Sequence, residues 1–162
     1  MNSSVNLKNI YQKGSLMVEV LIVVSIIIVL VLAALGVAQK SIYLARHSLH
    51  QVQAAFLLEE GAEATRVVRD NAWSGISSLG VATDYYLVFS GGTWTFSATP
   101  STVGIFTRKV VFSSAYRDGD QNLATSGTLD AETLLVTVTV SWPEGGQNFS
   151  KTLQFYLADL FS

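Results

Sequence analysis

The chain has 162 residues, 49% hydrophobic and only 14% charged, with a formal net charge of −2 and no cysteine. That length suits one modest domain plus an anchor. The composition excludes disulfides, zinc-thiolate centres and cysteine nucleophiles, and its weak acidity offers no basic face for nucleic acid.

Residues 1–13 are short, polar and mildly basic through Lys8 and Lys13, which favours a cytoplasmic N-terminus ahead of an apolar run. That run follows at once. From Val20 to Ala38 there is no charge, and Ser25 is the only polar side chain. As a helix it spans roughly 28 Å, close to the bilayer hydrocarbon thickness, with Val20, Leu21, Ile22, Ile26, Ile27, Leu30, Leu32 and Leu35 as its apolar body. A carboxylate, Glu19, stands at its head. A charge there costs about 2.5–3.5 kcal/mol at a helix centre and less near an interface, so it needs a compensating partner. Small residues after the run (Ala33, Ala34, Gly36, Ala38) keep an ordinary secretory signal open, but such a signal leaves Glu19 unexplained.

Gly14 followed by Ser15-Leu16-Met17-Val18-Glu19 resembles the class III signal of type IV prepilins and pseudopilins. The resemblance covers about the first 45 residues, with leader, glycine, glutamate and apolar run in register. It implies a leader over residues 1–14, cut after Gly14 by a prepilin peptidase that also N-methylates Ser15. Glu19 then falls fifth in the mature chain, where the family carries its glutamate for assembly. Major pilins usually begin with phenylalanine, so Ser15 is closer to the minor members. Independently, cleavage would create an amine four residues from Glu19, and an amine and a carboxylate packed together remove the penalty either suffers alone.

Beyond Ala38 the pattern turns amphipathic. Residues 39–69 lack proline, and Ala45, Leu49, Val52 and Phe56 recur at helical spacing, beside a neighbouring stripe of Ala55, Leu58 and Ala62. One helix over 15–70 is expected, with a membrane span at about 20–38, an amphipathic half at 39–70, and its apolar stripe against a sheet. Gly36 and Gly61 interrupt it. Asp70-Asn71 and Trp73-Ser74-Gly75 end it, and a loop is expected up to Asp84.

The remaining residues, 71–162, read as an extracytoplasmic β-domain. Strands are expected at 85–89 and 93–97, joined through Ser90-Gly91-Gly92, then at Phe106–Tyr116, at 134–142 and at Asn148–Leu157, with a loop over Ala98–Gly104. The clearest alternation sets Val136, Val138, Val140 and Trp142 on one face, and Thr137, Thr139 and Ser141 on the other. Pro143-Glu144-Gly145-Gly146 turns the chain into the last strand. The fold class is therefore α+β: a long N-terminal helix packed on an antiparallel sheet of about four strands. This is also the pilin fold that the resemblance implies.

Chemistry is sparse. Asp118, Asp120 and Asn122 begin like a calcium loop, but Leu123 and Leu129 occupy the places of the required glycine and bidentate glutamate. A solvated turn is the preferred reading, and Ca²⁺ a weak alternative; no other cofactor is expected. His47 and His50, one turn apart, lack further ligands and read as surface residues. The three tryptophans, Trp73, Trp94 and Trp142, read as packing residues. No nucleophile elbow, Walker loop, zincin or Rossmann pattern occurs, so no enzyme is expected. The resemblance implies a structural subunit, closest to a minor pilin or minor pseudopilin, of a type IV pilus, type II secretion or related filament machine. Its partners would be prepilin peptidase, other subunits, an assembly platform and the cytoplasmic membrane. It would be a single-pass membrane protein with its C-terminal domain outside the cytoplasm, later drawn into a filament. The rival is a single-pass, membrane-anchored binding module, neither cleaved nor polymerised.

Overall fold

The computed structural model describes the backbone of residues 8–160 and the side chains of 16–160. The processing residues Gly14 and Ser15 therefore lie outside the described side chains, and most of the leader outside the described residues. Helix α1 runs Lys8–Asn71, beginning before the expected Ser15 because nothing from Lys8 to Gly14 forbids helical backbone. It is followed by the short α2 (Ser74–Ser77) and by β1 (Asp84–Ser90), β2 (Thr93–Ser97), β3 (Thr102–Val103), β4 (Phe106–Arg117), β5 (Leu123–Ala124), β6 (Thr128–Glu144) and β7 (Gln147–Ala158). The chain forms two compact units, residues 1–48 and 49–162.

In the first unit every described side chain from Leu16 to Arg46 is exposed. This part of α1 is long and apolar enough to cross a membrane. The hydroxyl of Ser25 donates to the Leu21 carbonyl at 2.7 Å, so the one polar side chain within the Val20–Ala38 run is satisfied inside the helix.

The second unit is an antiparallel sheet carrying the C-terminal part of α1 on one face. Strand order is β2-β1-β4-β6-β7, with the two-residue strands β3 and β5 both pairing with β4. The sheet thus has seven strands where about four were expected. The additions are mostly segments too short to show a period-two pattern: β3 sits inside the expected loop at 98–104, and β5 follows the acidic turn. Gly91-Gly92 and Gly145-Gly146 make the two tight hairpin turns, each with φ between 59° and 81°, a conformation that suits glycine and matches strand twist. Pro143 and Glu144 belong to β6 rather than to the turn. Pairing of β6 with β4 ends at Ser141, so Pro143 deprives that strand of no partner there.

Between Ser114 and Ala115 the β4–β6 register shifts. Ser114 faces Leu134 while Ala115 faces Asp130, so Ala131, Glu132 and Thr133 bulge out of the ladder. This extends β6 well upstream of the expected strand at 134–142. The stretch expected to be loop after α1 instead contains α2, whose Ile76 is fully buried.

The core forms where the expected faces meet. Val110, Phe112, Val136, Val138, Val140 and Trp142 are buried on the helix side of the sheet, together with Leu157. The helix, however, meets the sheet through the neighbouring stripe rather than through Leu49, Val52 and Phe56. Of the two expected stripes, Leu49, Val52 and Phe56 are 55%, 52% and 66% exposed, whereas Leu58 and Ala62 of the neighbouring stripe are buried, joined by Ala54, Ala64, Thr65 and Val68. Small residues win the contact because they let the backbone approach branched strand side chains closely. At Gly61 a Cβ would stand 2.8 Å from Val138 Cγ1 and 3.0 Å from Arg108 Cδ.

Candidate functional site

The first candidate is the head of the apolar helix. Glu19 lies on one face with Leu16, Val20, Val23 and Val24, lining a shallow groove. No lysine, arginine or histidine occurs from Leu16 to Gln39, and among the described residues Glu19 makes no ion pair. The apolar residues named for the membrane run are 53% (Ile27) to 65% (Leu21) exposed. Such a surface calls for surroundings other than water, either lipid tails or other helices. Farther along this unit, Lys40 Nζ lies 5.4 Å from the Tyr43 ring centre, and His47 stacks on Tyr43 at 6.2 Å.

The second candidate is the outward face of the helix in the β-domain. Leu49, Val52 and Phe56 remain exposed there, and Phe56 continues into an apolar hollow with Leu57, Val103, Ile105 and Phe106. His50 borders the same hollow and is half-buried rather than a surface residue. Its Nδ1 lies 3.4 Å from Glu144 Oε1, and its ring meets Phe106 edge-on at 6.1 Å. Sequence gave no sign of this pairing, because Glu144 arrives from the far end of β6.

Arg108 is the functional-looking residue that pattern reading passes over. It alternates with Phe106 and Val110 on the buried face of β4 and is only 4% exposed. Its Nη1 donates to Glu60 Oε2 at 2.5 Å, and its guanidinium lies 5.2 Å from the Trp94 ring centre. It joins helix, β4 and the β1–β2 hairpin through these contacts. Trp94 also packs on Phe89 at 5.1 Å, and Trp142 lies between Phe106 and Phe149 in the core.

The acidic turn is closed on itself. Asp118 Oδ1 accepts the backbone N–H groups of both Asp120 and Asn122 at 2.9 Å, and Asp118 N donates to Asn122 O at 2.9 Å. The Asn122 N–H, more than the others, holds the Asp118 carboxyl below the usual carboxylate range. Asp130 is held below it chiefly by the Thr133 hydroxyl, then by Arg117, whose Nε donates to Oδ2 at 2.7 Å. Arg117 Nη1 reaches the Gln121 carbonyl at 2.8 Å and ties turn to bulge. Asp118 Oδ1 is thus already engaged by two backbone N–H donors. Among the described residues, no three His, Cys, Asp or Glu side chains converge as a metal site. Asp118, Asp120 and Asn122 are thus neighbours in a turn, with Asp118 the acceptor that shapes it.

Comparison with family models, with curated proteins and with solved structures finds no match for this chain. The functional reading therefore rests on the residues and their arrangement.

Proposed function

We propose that this chain is a structural subunit of a pilin-like filament, closest in kind to a minor pilin or minor pseudopilin. It is made as a precursor, cut after Gly14, N-methylated at Ser15 and assembled through α1. Before assembly the apolar run anchors it in the cytoplasmic membrane, with the β-domain outside. Its biochemical act is assembly rather than catalysis, and its partners are the processing peptidase, an assembly platform and other subunits. The observation that carries this reading is the apolar run headed by Glu19. A membrane-length helix holds one carboxylate at its start, beside the glycine junction, with no cation among its own next twenty residues. A lone carboxylate in lipid is a standing cost, whereas a new α-amine at Ser15 on the same or a neighbouring chain cancels it. The exposed Leu49, Val52 and Phe56 support the same reading, since they extend an uncovered apolar face beyond the membrane segment.

Mass spectrometry of the protein extracted from membranes of its source cells tests it. The expected chain begins at Ser15 and is one methyl group heavier than its sequence. A stable chain that still carries Lys8 and Lys13 overturns the reading in favour of an uncleaved, membrane-anchored binding module.

A further inference from the structure

Among the described residues, the two outer strands of the sheet, β2 and β7, have no further strand beside them, and they are alike. The β1-facing side of β4 is closed piecewise: β3 pairs with Phe106 and Thr107, β1 with Val110 and Val111, and β5 with Tyr116 and Arg117. Strand β7 has no such cover. It pairs with β6 from Gln147 to Ala158 without a register shift, and no described strand lies on its other side. Twelve residues at about 3.3 Å each make an edge of roughly 40 Å whose outward side meets no other described strand. The usual protections of an edge are proline, a bulge or projecting charge. Here there is no proline and no bulge, and the one charged side chain, Lys151, reaches back to the Gln51 carbonyl on the helix at 3.4 Å.

The opposite edge, β2, carries no charge at all and pairs only with β1. From Tyr86 to Ser90, β1 pairs with β2 and no longer with β4, so the hairpin leaves the sheet as an arm. Four antiparallel pairings separate β2 from β7, which makes the two outer strands run in the same direction. Their side chains also alternate alike. Trp94 and Phe96 lie on the core side of β2, with exposed Thr93 and Thr95 between and before them. On β7, half-buried Phe149 and Phe155 and the 37% exposed Leu153 lie on the core side, with exposed Ser150, Thr152 and Gln154 between them.

We infer that β2 of one copy adds as a parallel strand to β7 of the next, so that one sheet continues from copy to copy. In that arrangement the apolar rows join on the helix side, the hydroxyl and amide rows join on the other, and Lys151 meets no cation. The contact is heterologous, so each copy leaves a fresh β7 and a fresh β2, and the series stays open. A two-fold β7–β7 pairing would instead turn the second copy's helix segment, Leu49–Asn71, end for end. The inference rests on the proposed assembly for the common orientation of the copies.

Because the chain has no cysteine, disulfide trapping is clean. Thr95→Cys is combined with Ser150→Cys, Thr152→Cys or Gln154→Cys in the full-length chain, and assembled material is treated with a mild oxidant. All four positions are exposed, so the fold is retained. The expected result is a ladder of dimers, trimers and higher species in at least one double variant, at least tenfold above each single variant. Mixing the two matching single variants should give dimers alone. A dimer as abundant from Thr152→Cys by itself overturns the inference in favour of two-fold pairing. Absence of a ladder in filaments that still form overturns the edge contact and leaves the assembly reading standing. A chain that is neither processed nor assembled overturns the assembly reading, and with it the shared orientation the edge contact needs.

Discussion

Glu19 and Gly61 are two single residues whose physical demands come from opposite directions. Among the described residues the carboxylate of Glu19 makes no ion pair, and under the proposed function its value lies in what it meets on assembly. Glu19→Val removes a charge that lipid disfavours, and the variant should stay in the membrane at least as well as the parent. Its incorporation into filaments, followed by quantifying sheared filament protein, should fall at least tenfold. Unchanged incorporation would remove the assembly role of the carboxylate. Gly61 is set by close packing instead. Valine there would drive a side chain into Val138 and Arg108, and overpacking should cost about 1–3 kcal/mol, read from the urea midpoint of the β-domain signal in the detergent-solubilised chain. Gly36→Val, with nothing within 4 Å of the added atom, should leave that midpoint unmoved. The chemistry of Glu19 is legible in sequence, because a charge beside nineteen uncharged residues is anomalous wherever the helix goes. The demand on Gly61 is not, because it depends on Val138 and Arg108, far away along the chain.

At the level of elements, pattern reading located the long helix and the longer strands, since 3.6- and two-residue periods are local properties. It placed the helix face only in part. Leu49, Val52 and Phe56 looked buried and are not; the neighbouring stripe of Leu58 and Ala62 is, with Ala54, Gly61, Ala64, Thr65 and Val68 completing the contact. Hydrophobicity ranks side chains by what they lose in water. It does not register how near two backbones must come. The bulge at Ala131–Thr133 escaped for a similar reason, being a property of paired strands; the turn after β4 was expected, but not the ties by which Asp118 and Asp130 hold it. Both carboxyls titrate below their ordinary range in the folded chain. The unfolded chain therefore binds more protons as pH falls below about 4, and the stability these groups contribute is complete at neutral pH. It is lost as pH falls through their lowered folded values. Measured against pH, the midpoint of the parent should drop towards that of Asp118→Asn or Asp130→Asn in this acidic window. The gap between parent and variant should be constant from pH 6 to 8.

At the scale of the whole molecule, the apolar surface left over is more informative than the surface used. Replacing Leu49, Val52 and Phe56 together with serine changes residues that are all more than half exposed in the single chain. The β-domain should therefore unfold within about 1.5 kcal/mol of the parent, by adding up to about 0.5 kcal/mol for each surface site. Filament yield should nevertheless fall at least fivefold, because the same residues would be covered only by neighbouring subunits. The sequence by itself determined that a membrane-length helix exists, that its head carries an acid followed by twenty residues without a cation, and that an alternating β-domain follows. These are statements about composition and period, which the chain carries locally. Only the tertiary structure decided which helix face meets the sheet, that Arg108 joins three elements, and that β2 and β7 are the outer strands and run the same way. Each of these depends on contacts between residues distant in sequence, whose strength is set by distance and burial. For the opening helix this leaves Glu19 as the residue still owed a partner, since none of the described residues forms an ion pair with it.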